Sequence, residues 1–456
     1  MGLKTGAILS IGNFETMNLR RHEDIIAVRS PGGTPVGFHA RNLQVAELSE
    51  SAWNAMPTSH WQNSQVLKIS GPRNEAAEEV DRWHRSEDDT ATAGKISFGI
   101  RSLTLNVTQI CNLHCTYCAA GGDGTYGDPI KKISVEKTLP QILFFLNQVP
   151  AGERFHIAFL GGEPLLYPEA IEGIGRYVLE EAKARGVRAS FKVTTNGTLI
   201  TEKALKALQA IGAHVTVSLD GPQEIHDLQR KSKSGQGTFE QVWTGVQTLL
   251  QNREGLGSIG LHAVFNEHNL AVVKAWDLFS PTAVDHMEFT YAVASEDAEA
   301  SRVYNEALAV VAAKAWAKGG ETELLRIANF ASYFRRLDSQ ERLENHCGIG
   351  KTMLVVDSRN QIWNCPWTIG QKADQLGTGN DLDYDRLAAY QETLVERNNC
   401  GTCWARFLCG GGCSFVHENT SADGQLQKKN SFCERTRFFA GLAVIYYHQA
   451  RSAQSA

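Results

Sequence analysis

Cys111-Asn112-Leu113-His114-Cys115-Thr116-Tyr117-Cys118 follows directly on the β-rich run SLTLNVT at 102–108. The spacing is C-x3-C-x2-C, with no fourth cysteine nearby. Three thiolates hold three irons of a four-iron, four-sulfur cube and leave the fourth iron without a protein ligand. Structural zinc favours four ligands and paired C-x2-C hairpins, which this loop does not offer. The run before the loop is the first of six: 155–161 (FHIAFLG), 189–195 (ASFKVTT), 214–219 (HVTVSL), 258–265 (SIGLHAVF) and 286–293 (HMEFTYAV) follow, alternating with helix-like segments. This is the pattern of an α/β fold with a parallel sheet and about six βα units, fewer than a closed eight-stranded barrel needs. Chemistry is expected at the carboxyl ends of such strands. The cluster loop, Gly161-Gly162-Glu163-Pro164, Thr195-Asn196-Gly197 and Asp220-Gly221-Pro222 all fall there.

A chain of 456 residues exceeds one ordinary core and argues for two or three domains. With 42% hydrophobic and 21% charged residues it reads as globular rather than disordered. Its 45 basic against 50 acidic side chains create no positive field for a phosphate backbone, so nucleic acid is not an expected partner. The longest apolar stretch, Phe438 to Tyr447, is about half of what spans a bilayer, and the N-terminus lacks a signal-peptide h-region. A cytoplasmic location without a membrane partner is therefore expected. In that compartment thiols stay reduced, and clustered ones bind metal or do chemistry. Seven of the ten cysteines lie between Cys347 and Cys433, far from the cluster loop, which points to separate metal sites in separate domains.

Upstream, Ile25 to Arg29 and Val36 to Leu48 are extended runs around the turn Pro31-Gly32-Gly33, with a helix-like segment from Ser51. An acidic helix is expected over Asn74 to Arg85, then a linker in SEDDTATAGK. Downstream, a helix-rich segment over about 299 to 338 gives way to Cys, Gly and Trp. There Cys400, Cys403, Cys409 and Cys413 have the spacing C-x2-C-x5-C-x3-C, with Cys433 beyond and Cys347 and Cys365 ahead. Cys400 and Cys403 alone form a pair of the zinc-ribbon type.

The cluster loop resembles the defining C-x3-C-x-aromatic-C motif of the radical SAM superfamily, with Tyr117 as the aromatic. Gly161, Gly162, Glu163 and Pro164 resemble that family's GGEP motif, whose carbonyls receive the ammonium of S-adenosyl-L-methionine (SAM). Thr194-Thr195-Asn196-Gly197 resembles the ribose-contacting strand end. Ser218-Leu219-Asp220-Gly221-Pro222 with Arg230 resembles the segment that holds the SAM carboxylate through a hydroxyl and a guanidinium. His114 stands at a variable family position and is treated as packing. The second cysteine set resembles the SPASM extension, which carries two auxiliary 4Fe-4S clusters. Its usual glycine, five residues before the second cysteine, is here Asn360, the non-glycine type that best tolerates a left-handed turn.

The resemblance implies a partial (β/α)6 radical SAM barrel over 97–320, a small N-terminal α+β module and linker over 1–96, and a Cys-rich SPASM domain over 321–456. It implies three 4Fe-4S clusters: Cys111, Cys115 and Cys118 bind the SAM cluster, Cys347, Cys365 and Cys413 the first auxiliary cluster, and Cys400, Cys403, Cys409 and Cys433 the second. Seven auxiliary cysteines are one short of eight, so the first auxiliary cluster has an open iron, takes a ligand such as His346, or binds substrate. The implied activity is reductive SAM cleavage to a 5'-deoxyadenosyl radical that removes hydrogen from a carbon of a ribosomally made precursor peptide, fed by an external electron donor such as flavodoxin or ferredoxin. The N-terminal module, with its helix in Leu48-Ser49-Glu50-Ser51-Ala52-Trp53, resembles the peptide-recognition element of such maturases, which binds a leader by strand addition; a structural cap on the barrel is the other reading. Gly121 to Asp128 resembles a run in peptide-modifying members, including maturases of Nif11-type precursors. Two alternatives remain: an anaerobic sulfatase-maturating enzyme that forms formylglycine, to which Ile225-His226-Asp227 is also close, and a non-catalytic iron-sulfur electron-transfer protein. The second leaves the GGEP and TNG segments unexplained.

Overall fold

The computed structural model describes residues 19–62, 64–70, 74–86, 99–118, 132–292, 296–418 and 430–455. The linker after residue 86 and the loop Gly121 to Asp128 lie outside these.

The N-terminal run from Leu19 folds as an antiparallel sheet of β1 (Leu19–His22), β2 (Ile25–Arg29), β3 (Pro35–His39), β4 (Gln44–Glu47) and β5 (Thr58–Ser59), in the order β4-β3-β2-β1-β5. The extended run from Val36 to Leu48 breaks into two strands at Leu43, whose φ of 57° turns the chain back. Two helices cover the sheet, and each starts on a side-chain cap. Ser49 accepts from the Ala52 N–H at the head of Glu50–Ala55, and Asn74 from the Ala77 N–H at the head of Glu75–His84.

All six parallel strands expected from the apolar runs are present. They are β6 (Ser102–Asn106), β7 (Arg154–Leu160), β8 (Arg188–Thr195), β9 (His214–Ser218), β10 (Ile259–Phe265) and β11 (His286–Tyr291), paired in sequence order. Period-two alternation sends Leu103, Leu105, Phe155, Ile157, Phe159, Phe191, Val193, Val215 and Val217 into a fully buried apolar layer. The opposite face carries Thr104, His156, Lys192, Ser218, His262 and Glu288. Lys192 on β8 reaches Glu288 on β11 at 3.5 Å across two intervening strands, so this polar face is the concave one.

The sheet does not stop at the expected domain boundary near residue 320. β12 (Met353–Val356) pairs in parallel with β6, Met353 opposite Ser102 and Val356 opposite Leu105. Beyond it β13 (Gln361–Trp363), β14 (Gln375–Thr378) and β15 (Asp381–Leu382) continue antiparallel, making ten strands. Asn360 turns the chain between β12 and β13 at φ 62°. Its amide also donates to Thr138 Oγ1 at 2.7 Å, a tie to the helix Val135–Leu146 that glycine could not make.

The apolar stretch Phe438 to Tyr447 lies inside a helix, Asn430–Ser455. It is apolar all round because it is covered all round, by the helices Ala298–Leu324 and Ala328–Ser339 and by the N-terminal sheet. No described helix is long and apolar enough to cross a membrane.

His39, fully buried in β3, accepts at Nδ1 from the Arg41 and Asn42 N–H groups and faces the His84 carbonyl with Nε2, which fits only a neutral ring. Burial chiefly lowers its pKa to about 4, from 6.5. A depressed histidine leaves the unfolded chain binding more protons, so its stability contribution is complete above pH 6.5 and is lost as the pH falls towards 4. Between pH 7 and pH 5 its share of that loss is about 2 kcal/mol. Urea denaturation at the two pH values is expected to show the loss shrinking by that amount in His39→Gln.

Candidate active site

The cluster loop leaves the end of β6 and is clasped from below by the end of β7. Gly162 donates to the Thr108 carbonyl at 2.7 Å and Glu163 to the Ile110 carbonyl at 2.9 Å. A Cβ on Gly161 would lie 2.3 Å from Thr108 O, and one on Gly162 2.1 Å from Ile110 O, so both glycines are required by close approach. Glu163 is fully buried. Its Oε1 accepts from Thr195 Oγ1 at 2.7 Å and Leu165 N at 2.9 Å, and its Oε2 from Asn196 N at 2.7 Å. Burial pushes this carboxyl up and the three donors oppose it. The group therefore bolts the end of β7 to the end of β8. Pro164 opens the turn that follows.

Asn196 in turn reaches the cluster loop, donating to Asn112 Oδ1 at 2.8 Å and approaching Cys111 Sγ at 3.7 Å. On the far side Asp220, fully buried beyond β9, accepts from Tyr117 Oη at 2.8 Å, Arg230 Nε at 3.1 Å and Val264 N at 3.1 Å. Arg230 lies over the Tyr117 ring at 5.5 Å and extends Nη1 to Cys115 Sγ at 3.9 Å. Burial works against its charge, yet Asp220, Tyr117 and Cys115 hold its pKa above the ordinary value. With Nε and Nη1 engaged, Nη2 is the nitrogen left for a ligand. Ser218 ends β9, two residues before Asp220.

Cys111, Cys115 and Cys118 act on one another electrostatically; burial pushes Cys111 up and Cys115 to about 11. Such thiols stay protonated until a metal takes the place of the proton. Among the described residues no three metal-binding side chains converge on a single ion. A four-iron cube keeps its thiolates farther apart than one ion does. Donors already face these sulfurs, from Leu113 N at 3.4 Å, Asn196 and Arg230. The residues fit a cluster with SAM beside it.

Cys400, Cys403 and Cys433 all bear on the buried Cys409 thiol and, after burial itself, raise its pKa. Gly410, Gly411 and Gly412 have φ of 73°, 85° and 80°, three consecutive left-handed residues that carry the chain from Cys409 to Cys413. Cys347 follows His346, whose N–H donates to Gly410 O at 2.6 Å. Trp367 and Phe415, two residues beyond Cys365 and Cys413, meet as tilted rings at 6.2 Å and bring those segments together. His346 directs Nδ1 to the Cys409 carbonyl at 3.1 Å, leaving Nε2 for any ligand role.

Sequence reasoning passed over the concave face. Glu288 lies 3.5 Å from Lys192 and 3.7 Å from His286, and in register with His262. Although burial opposes it, Lys192, His262 and His286 hold the Glu288 carboxyl below its usual range. The signal was present: parallel strands buried on both faces read as unbroken apolar runs, whereas SFKV, GLHAVF and HMEFTY alternate.

Residues 105–274 match the Radical SAM superfamily. A serine-type anaerobic sulfatase-maturating enzyme of Klebsiella aerogenes is 26% identical over 341 residues, 69% of this chain and 80% of that protein. Among solved structures, anSMEcpe with bound AdoMet superposes with a TM-score of 0.64 at 21% identity, over 77% of this chain and 95% of its own. Streptococcus suis SuiB bound to S-adenosylmethionine superposes with a TM-score of 0.50 at 12% identity, over 91% of this chain and 98% of its own.

Asp220→Ala leaves the buried Arg230 without a counter-charge and is expected to cost about 3–5 kcal/mol of stability in chemical denaturation. The double variant Asp220→Ala, Arg230→Met removes the orphaned charge as well. It is expected to be more stable than the single one; equal or greater loss would show that the pair does not carry the hub.

Proposed function

From a chain that carries a radical SAM domain over residues 105–274, we propose a peptide maturase that takes hydrogen from a ribosomally made precursor and thereby installs a crosslink, a thioether or a backbone rearrangement. Bound at the loop, the cluster and SAM supply the 5'-deoxyadenosyl radical. The protein's own residues position and shield. Gly161 and Gly162 would present backbone to the amino acid end of SAM, Asn196 stands at the loop, and Ser218 and Nη2 of Arg230 would hold its carboxylate. Two auxiliary clusters on Cys347, Cys365 and Cys413 and on Cys400, Cys403, Cys409 and Cys433, together with an external donor such as flavodoxin or ferredoxin, belong to the same proposal.

The observation that carries the peptide reading is the edge of the N-terminal sheet. β4 is its terminal strand, and Ala46 and Glu47 are exposed. Leu48 N donates to Pro35 O, so antiparallel alternation points the N–H groups of Val45 and Glu47 away from β3. A leader peptide adding there as a sixth strand would use those two donors. The SuiB likeness extends over 91% of the chain, that to anSMEcpe over 77%.

The second reading, formylglycine formation on a sulfatase, is favoured by the 80% coverage of the Klebsiella aerogenes enzyme. The two part at β4. Glu47→Pro removes one outward N–H without touching the β3 ladder, whereas Glu47→Ala removes only the carboxylate that meets His448 at 3.2 Å. Fluorescence anisotropy with a short peptide encoded by a neighbouring reading frame is expected to show at least a tenfold loss for Glu47→Pro, about 1.4 kcal/mol, and little for Glu47→Ala. Unchanged affinity, with loss of two hydrogens at a serine of a sulfatase peptide, would establish the second reading.

Replacing Cys111, Cys115 and Cys118 together by Ala is expected to abolish 5'-deoxyadenosine formation while auxiliary iron remains. Nucleoside production by a triple variant would exclude the radical SAM reading of the loop.

A further inference from the structure

β1 carries Arg21, which is fully buried and, among the described residues, bonded only to backbone oxygens. Nε donates to Glu23 O at 2.9 Å, Nη1 to Ser64 O at 2.9 Å and Nη2 to Thr402 O at 2.6 Å. Thr402 lies inside Cys400-Gly401-Thr402-Cys403, the first pair of the second auxiliary set. Arg406 and Arg437 are buried beside it. Arg406 pairs with Asp24 at 2.9 Å, and Asp24 also holds Arg41 at 3.1 Å. Arg437 donates to the carbonyls of Trp61 and Gln62. Three buried guanidinium groups thus cluster here with two carboxylates among them, Asp24, already shared with Arg41, and Glu434, which acts on Arg437 and accepts from Gln62 at 3.0 Å.

A buried cation without a counter-charge is strongly unfavourable. The four thiolates of Cys400, Cys403, Cys409 and Cys433 would provide the missing negative charge once they hold a cluster, and Cys403 and Asp24 are the anion-forming groups that act on Arg21. The packing agrees. Trp404, 1% exposed, meets Phe38 of β3 at 6.2 Å and Trp61 at 6.1 Å, so the N-terminal sheet forms one wall of the cysteine site.

We propose that Arg21 is a positioning residue for the second auxiliary cluster: the N-terminal sheet supplies, through Thr402, a buried positive charge that raises that cluster's reduction potential. Reduction adds one negative charge to the cluster, and the fixed guanidinium stabilises the reduced form more than the oxidised one. The sheet with the open β4 edge is then also part of the cluster's housing. The inference rests on the reading of the four cysteines as a cluster site, and the test separates the two.

The experiment is an EPR-monitored redox titration of the full-length, anaerobically reconstituted chain, with iron content measured in every variant. In Arg21→Gln, one auxiliary signal is expected to shift to lower potential by at least a tenfold change in the ratio of reduced to oxidised cluster, 59 mV for one electron. The signal that responds to added SAM should stay in place. Arg21→Lys keeps the charge while losing the three-way carbonyl clasp, and should remain within about twofold of the wild-type ratio. An equal shift in both variants, or no shift in an Arg21→Gln protein with full iron, overturns the proposal. If Arg21→Gln loads less iron, Arg21→Lys decides alone: a midpoint displaced as far as tenfold rejects the charge effect. Cys433→Ala should remove the signal that moves; if that signal survives, the cluster assignment itself is wrong.

Discussion

Four separate pieces of chain meet at the carboxylate of Asp220. The cluster loop arrives through Tyr117, β10 through the Val264 N–H, and the segment after Gln223–Gln229 through Arg230, while Asp220 itself follows β9. Inside a low-dielectric site each of these bonds is charge-assisted, and none has water as an alternative partner. The geometry around Cys115 follows from it, because the guanidinium that approaches that thiol is aimed by Asp220. Glu163 does the same work on the opposite flank with uncharged donors. Two buried carboxylates, one opposite a cation and one opposite amides and a hydroxyl, thus fix the mouth of the barrel from both sides.

What could be read from sequence was whatever local pattern determines. The six parallel strands are apolar runs of ordinary length between helix-forming segments, and the cluster loop is a spacing. Capping residues such as Ser49 and Asn74 announce their helices. Non-local pairing was not readable. β12 is four residues long, and nothing in Met353 to Val356 says that it lies beside Ser102 to Leu105 rather than in a sheet of its own. Tyr117 and Asp220 are 103 positions apart, and neither residue type demands the other. The helix containing Phe438 to Tyr447 was legible as apolar, yet its partners, one of them the N-terminal sheet, come from the other end of the chain.

That long-range contact changes how the N-terminal module is understood. A recognition domain that merely feeds peptide to a catalytic core could be tethered by a linker and removed without harm. Here the sheet packs on the C-terminal helix and on the Cys400 to Trp404 loop through Phe38, Trp61, Arg21 and the Asp24–Arg406 pair. Gly441 passes so close to Trp61 that a Cβ there would lie 2.4 Å from the ring. Removal of residues 19–62 would expose Trp404 and Phe438 and strand Arg406 without Asp24. The proposed peptide capture and the proposed cluster support are therefore not separable by truncation, whereas single substitutions on β1 and β4 separate them.

The two ends of the molecule solve one electrostatic problem in different ways. At the cluster loop one buried arginine, Arg230, is neutralised by a dedicated carboxylate, so the site is balanced before any metal arrives. At the second cysteine set the buried arginines outnumber the carboxylates beside them, and on the proposed reading the thiolates complete the balance. A site balanced in advance leaves Nη2 of Arg230 oriented for an incoming anionic ligand at little reorganisation cost. On the proposed reading, a site that completes its balance only with the cluster would couple metal loading to the docking of the N-terminal sheet, since the same arginine joins both. The loop that must bind and release a ligand is thus preset independently of its contents, whereas the site expected to hold its contents permanently is tied to the fold of the rest of the chain.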